Sequence, residues 1–109
     1  MVPTIDDVEP NEVLGLKDKL LLVDVRQPEE YQGELGHIPG ARLLSLDKLP
    51  EQMDILPKDQ TIVFICRSGQ RSAKATFFAK ESGLNNVYNL KGGMILWNKL
   101  KLETSQEAP

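Results

Sequence analysis

Two apolar runs constrain this chain more than anything else in it: LLLVDV at residues 20–25 and TIVFIC at residues 61–66. Both are short and mostly aliphatic, and neither shows the alternation of a strand with one wet face. They read as strands buried on both sides, which need helical cover on each face. Shorter strands are expected at residues 41–44 and 86–90, with an edge strand at residues 3–5.

Helical segments lie between these runs. Residues 11–16 follow Pro10, and residues 28–32 open on a proline suited to a first helical turn. Residues 46–56 place Leu46, Leu49, Met53 and Leu56 at helical spacing, with Pro57 as the stop and Pro50 moving the start towards Leu49. The strongest helical pattern runs from Gly69 to Ser82, buries some of Ala75, Phe77, Phe78 and Ala79, and ends at Gly83; a last helix covers residues 93–100. Strands alternating with helices predict an α/β doubly wound domain, a central, mainly parallel sheet of about five strands flanked by helices on both faces. A single domain over residues 1–102 accounts for the chain, and residues 103–109, which hold no core-forming side chain, are expected to be a disordered tail.

Composition removes several classes of function. Sixteen acidic and 13 basic side chains among 109 residues give a net charge of -3, against the basic surface of a nucleic-acid or anionic-membrane binder. The longest apolar run, residues 62–66, is far short of the ~20 residues that cross a bilayer. The first ten residues have neither the positive start nor the apolar stretch of a signal peptide, so the expected location is the cytoplasm. One cysteine, Cys66, and one histidine, His37, exclude an internal disulfide and a Cys/His zinc site built from this chain alone.

Cys66 ends the more hydrophobic buried strand, and in open α/β sheets ligands bind beyond the carboxyl ends of the strands. The segment CRSGQRS, Cys66 to Ser72, is small and polar and leads into the strongest helix. Loop amides, the helix dipole and the cations Arg67 and Arg71 all favour an anion, so the thiol is expected to ionise well below the ~8.5 of free cysteine. The plain alternative is a cysteine packed as a small hydrophobe. Two arginines within five residues favour a nucleophile instead, because an inert core position needs no electropositive cradle.

Four segments together resemble the rhodanese family of single-domain sulfurtransferases: LLLVDVRQPEEY, GHIPGA, CRSGQRS and NVYNLKGGMILW, in the family's order. The resemblance implies a rhodanese-like fold and a reaction in which Cys66 takes the outer sulfur of thiosulfate or a related donor, releases sulfite and holds a persulfide. A thiophilic acceptor, cyanide in the standard assay and thiols physiologically, then removes the sulfur, and no cofactor is needed. The implied substrate-binding residues are Arg67, Ser68, Gly69, Gln70, Arg71 and Ser72, with Asp24 and Arg26 of the D-x-R segment in support. The partners expected are a small anionic sulfur donor and a thiol or protein acceptor, with no nucleic acid or membrane, and the chain is read as a monomer or weak homodimer.

Two other functions compete with this reading. One is a non-catalytic or sulfur-relay module that binds a partner, against which the retained Cys66 within a cationic loop argues. The other is cysteine-dependent phosphatase or arsenate chemistry, which uses a C-x5-R loop. Here Ser72 occupies the arginine position and Arg71 comes one place early. His37, in a Gly/Pro turn, is read as a hydrogen-bonding loop anchor rather than a catalytic group. Gly92 and Gly93 are read as permitting close backbone approach near the active face.

Overall fold

A computed structural model describes residues 6–109. Five strands form one sheet: β1 (Asp7–Val8), β2 (Leu20–Asp24), β3 (Arg42–Leu43), β4 (Thr61–Ile65) and β5 (Val87–Leu90), in the spatial order β1-β5-β4-β2-β3. All four pairings are parallel. The helices are α1 (Pro10–Leu16), α2 (Pro28–Tyr31), α3 (Leu49–Gln52), α4 (Gln70–Glu81) and α5 (Gly93–Lys99).

The two apolar runs are the central strands. Within β2 and β4 alternate side chains enter opposite cores, as a period of two requires. Leu21, Val23, Ile62, Phe64 and Cys66 pack with Leu49 and Met53 near α3 and Ala75 and Ala79 of α4. Leu22, Val63 and Ile65 pack with Val13 of α1 and with Met94 and Trp97 of α5. Register pairs Leu20 with Thr61 and Asp24 with Ile65, so both strands finish at one level. From that level the chain leaves β2 towards β3 and β4 towards β5, in opposite directions across the sheet. This is the switch point at which an open α/β sheet leaves a crevice.

Some elements differ from expectation. The edge strand expected at residues 3–5 lies outside the described residues, and the edge described is β1. The helix expected over residues 46–56 is divided into 3-10 turns at Leu46–Lys48 and Met53–Ile55 around the four-residue α3. Pro50 falls in the first turn of α3 and blocks an earlier α-helical start, yet Leu49, Met53 and Leu56 all remain buried. Residues 103–109, expected to be disordered, are fastened to the domain. Trp97 Nε1 donates to the Glu103 carbonyl at 2.8 Å, and His37 and Ser105 form an antiparallel bridge through bonds of 2.8 Å each way. Backbone groups, one indole and the Gln106 side-chain amide, which donates to the Gly33 carbonyl at 2.7 Å, hold this segment, which is why side-chain hydrophobicity gave no sign of it.

The end of β2 is braced by a buried ion pair. Arg26 Nε and Nη2 donate to the two Asp24 carboxylate oxygens at 2.9 and 2.7 Å, the Arg26 amide adds a third bond at 3.1 Å, and Nη2 also reaches the Gly36 carbonyl at 2.7 Å. Both side chains are within 1% of full burial. A pair so placed is costly to break from one side, because the remaining charge stays buried. Asp24→Ala is therefore expected to destabilise the fold by roughly 3–5 kcal/mol in denaturant titration, a larger change than its effect on chemistry at Cys66.

Candidate functional site

Cys66 follows directly on β4, and its loop is fixed from behind by the start of α5. The amides of Met94 and Ile95 donate to the carbonyls of Cys66 and Arg67 at 2.9 and 3.0 Å. Gly93 makes this approach possible: at φ +57°, an added Cβ would lie 2.5 Å from both carbonyl oxygens. With those carbonyls tied down, the following amides are free to turn inward. Gly69, at φ +102°, sends its amide to Cys66 Sγ at 3.0 Å, and α4 begins at the next residue. One turn into α4, the buried Ser72 places its Oγ 3.2 Å from Sγ.

The sulfur is almost wholly buried, with Cys66 at 1% exposure. Burial alone pushes the thiol up, but the Ser72 hydroxyl and the amides of Ser72, Gly69 and Ser68 outweigh it and hold the thiol below its ordinary value. Hydrogen bonds aimed at the sulfur, more than net charge, therefore favour the thiolate. Arg71, read from the sequence as free to meet an anion, is engaged. Its Nη1 and Nη2 donate to both Glu30 carboxylate oxygens at 2.7 Å each, linking α4 to α2. Arg67 is exposed and borders a cavity of about 440 Å³ shared with Arg26, Glu29, Glu30, Gly33, Glu34 and Leu35. The surroundings of the loop are thus of mixed sign rather than uniformly cationic.

Cys66, Gly69 and Ser72 are in direct contact, and Arg71 stands near enough for its charge to feel the sulfur. Ser68 is exposed in the same loop and Gln70 is exposed at the start of α4, while the Asp24–Arg26 pair lies at the neighbouring strand end without bonding to the sulfur. His37 is buried, stacks on Tyr31 with ring centroids 3.6 Å apart, and places Nδ1 2.9 Å from the Tyr31 carbonyl, as a loop anchor does. Met94 is fully buried beneath the loop, in the core it shares with Trp97. A second cavity of about 430 Å³, lined mostly by apolar side chains such as Val13, Leu20 and Val63 but also by Glu12, Lys19 and Thr61, opens near the starts of β2 and β4, away from Cys66.

Two contributors escape a reading of the sequence. Glu30 is one of four acids within residues 24–34, and nothing local marks it as the partner of Arg71, 41 positions away. Asn89 did carry a signal, as an amide within the otherwise apolar strand VYNL, and its Oδ1 accepts from Ser72 Oγ.

A family model for the rhodanese-like domain matches residues 9–100. The chain belongs to the rhodanese family. It is 39% identical over 97 residues to a sulfurtransferase of Allochromatium vinosum, covering 89% of each chain. It is 41% identical over 86 residues to a putative sulfurtransferase of Bacillus subtilis, covering 79% of this chain and 81% of the relative. Among solved structures, a rhodanese-related protein of Thermoplasma volcanium superposes with a TM-score of 0.87 at 26% identity, covering 94% of this chain and 99% of that one. The resemblance carried by the four sequence segments is therefore one of family and fold. Within this rhodanese-like domain no described helix is long and apolar enough to cross a membrane.

The Arg71–Glu30 link gives the loop a defined acid sensitivity. The Arg71 guanidinium, opposed in part by burial, holds the Glu30 carboxyl at about 2 instead of 4.5. A folded value below the unfolded one means that the stabilisation is complete above about 4.5 and is lost as pH falls through about 2. With both side chains about one-third exposed, the contribution is at most roughly 1 kcal/mol. Glu30→Gln is expected to lower the denaturant midpoint at neutral pH and to converge on the wild type towards pH 2.

Proposed function

We propose that this rhodanese-like domain is a sulfurtransferase that carries a sulfane sulfur on Cys66. The observation that carries the reading is the set of donors converging on Sγ: the Gly69 amide at 3.0 Å, the Ser72 hydroxyl at 3.2 Å, and the further amides that lower the thiol's pKa. A thiolate so prepared needs no general base. It attacks the outer sulfur of thiosulfate, forming a bond from Sγ to that sulfur while the bond to the sulfonate sulfur breaks, and sulfite departs with the electron pair. The terminal sulfur of the resulting persulfide is then attacked by cyanide or a thiolate, and Cys66 leaves as the thiolate that began the cycle. The loop donors stabilise negative charge in both half-reactions.

With one cysteine in the chain, the persulfide has no internal resolving thiol, so the acceptor is an external thiol, of a small molecule or of a protein. The reducing cytoplasm, where such acceptors are maintained, is the compartment that suits the reaction. A small anionic donor is favoured by Arg67, an exposed cation at the mouth of the loop. Phosphoryl transfer is disfavoured, since Arg71 comes one position early for a C-x5-R loop and both its terminal nitrogens are occupied by Glu30.

The test is thiocyanate formation from thiosulfate and cyanide. The wild type is expected to be active and Cys66→Ser inactive; a folded wild type that makes no thiocyanate would remove thiosulfate as donor. Arg67→Ala is expected to raise KM for thiosulfate roughly fivefold with a smaller change in kcat, the size of one exposed charge contact of ~1 kcal/mol. An unchanged KM would remove Arg67 from donor binding.

A further inference from the structure

Behind Cys66 runs a chain of polar contacts that the transfer reaction does not by itself call for. Ser72 Oγ, 3.2 Å from Sγ, also bonds to Asn89 Oδ1, and Asn89 Nδ2 donates to Asp7 Oδ1 at 3.0 Å. The three residues come from α4, β5 and β1, and Asp7 lies directly opposite Asn89 in the sheet. Ser72 and Asn89 are buried, at 0% and 6% exposure. Water therefore has little access to compensate for a misplaced proton.

Counting donors gives the chain a direction. A carboxylate only accepts, so Asp7 draws the amino end of the Asn89 amide to itself and turns the carbonyl end towards Ser72. That carbonyl also only accepts. A serine hydroxyl has a single proton to give, and here two acceptors lie within its reach, Asn89 Oδ1 and the Cys66 thiolate. When Cys66 is protonated there is no conflict: its S–H points to Ser72 Oγ and the hydroxyl points to Asn89. When the sulfur is ionised, the hydroxyl that turns to it must abandon a buried carbonyl.

We propose that Asn89, oriented by Asp7, is a positioning residue that draws the Ser72 proton away from Cys66, so that this hydroxyl serves the sulfur only when charge develops there. The inference deepens the sulfurtransferase reading and rests on it for its purpose. A thiolate stabilised without opposition is a poorer nucleophile, and attack is fastest when the thiol titrates near ambient pH. In the persulfide Sγ carries no charge and the Ser72 hydroxyl donates to Asn89 Oδ1; as the acceptor expels Cys66, the hydroxyl turns back to the leaving sulfur.

The other charged groups around the thiol are Arg71 of α4 with its partner Glu30 of α2, Asp24 and Arg26 at the end of β2, and Arg67 in the loop. Leu49 and Met53 beside α3, and Met94 of α5, bring no titratable group. None of these is altered by changes at Asp7 or Asn89.

Cys66 is the only cysteine, so the pH dependence of alkylation by iodoacetamide reads this thiol alone. Asp7→Asn frees the Asn89 amide to reverse and give its N–H to Ser72, committing the hydroxyl to Cys66. The alkylation midpoint is expected to fall by about half a pH unit, roughly threefold more thiolate below the midpoint. Asn89→Leu, which removes the competing acceptor, is expected to lower it likewise, and adding Asp7→Asn to that variant should move it no further. Asp7 is exposed on an edge strand, so the Asn variant tests the idea even if Asn89→Leu does not fold. The Ser72→Ala background separates the relay from simple removal of a charge. There Asp7→Asn is expected to leave the midpoint where it is, and an equal fall with and without Ser72, or no fall in either, overturns the proposal. Because alkylation does not depend on turnover, absence of thiocyanate formation and absence of this shift are separate results.

Discussion

A thiol held below its ordinary value while almost entirely buried is the constraint on which the rest of this structure depends. Burial penalises the thiolate, and an exposed lysine or arginine would be too well screened to repay it. The repayment comes from hydrogen-bond donors aimed at the sulfur, the Gly69 amide and the Ser72 hydroxyl it shares with Asn89 foremost. Those donors point inward only because the carbonyls on the other side of the loop are already held by α5. The requirement thus runs from one atom to a loop, from the loop to Gly93, and from Gly93 to the packing of Met94 and Trp97 against the sheet.

Local charge proved a poor guide to the field at the site. Arg67 and Arg71 make the segment basic when read along the chain, yet Glu30 neutralises Arg71 from across the crevice and Glu29 and Glu34 stand near Arg67. What remains for an anion is direction rather than net charge: amides and a helix start aimed at one point, with the exposed Arg67 guanidinium outside. Such a site discriminates by where the negative atoms of a ligand fall, and much less by how many there are.

The sequence carried the fold because its strongest signals were of the kind that topology cannot alter. Runs such as LLLVDV and TIVFIC have only one place in a small α/β domain, the centre of a parallel sheet, and Cys66 at the end of one of them is thereby put at the switch point. Elements that depend on a balance of weak preferences were less legible. Residues 46–56 keep their apolar face while Pro50 divides the helix, and residues 103–109 are held by backbone bonds that no hydrophobic pattern announces. Within the site, the residues contiguous with Cys66 could be read directly. Glu30 could not, because its role is set by a contact between residues 41 positions apart, and Asn89 showed only as a polar interruption in a strand.

The sheet is long-stranded at its centre and short at its rims. Among the described residues β2 and β4 have five residues each, whereas β1 and β3, the outer members, have two. An edge that short offers few free N–H and C=O groups to another chain, so the most aggregation-prone segments of the molecule are enclosed by neighbours that make poor templates for strand addition. Growth of the sheet by strand addition is disfavoured for the same reason that the central strands can be so apolar, which leaves the helical faces and the loops at the carboxyl end of the sheet, where Cys66 lies, as the surfaces open to contact.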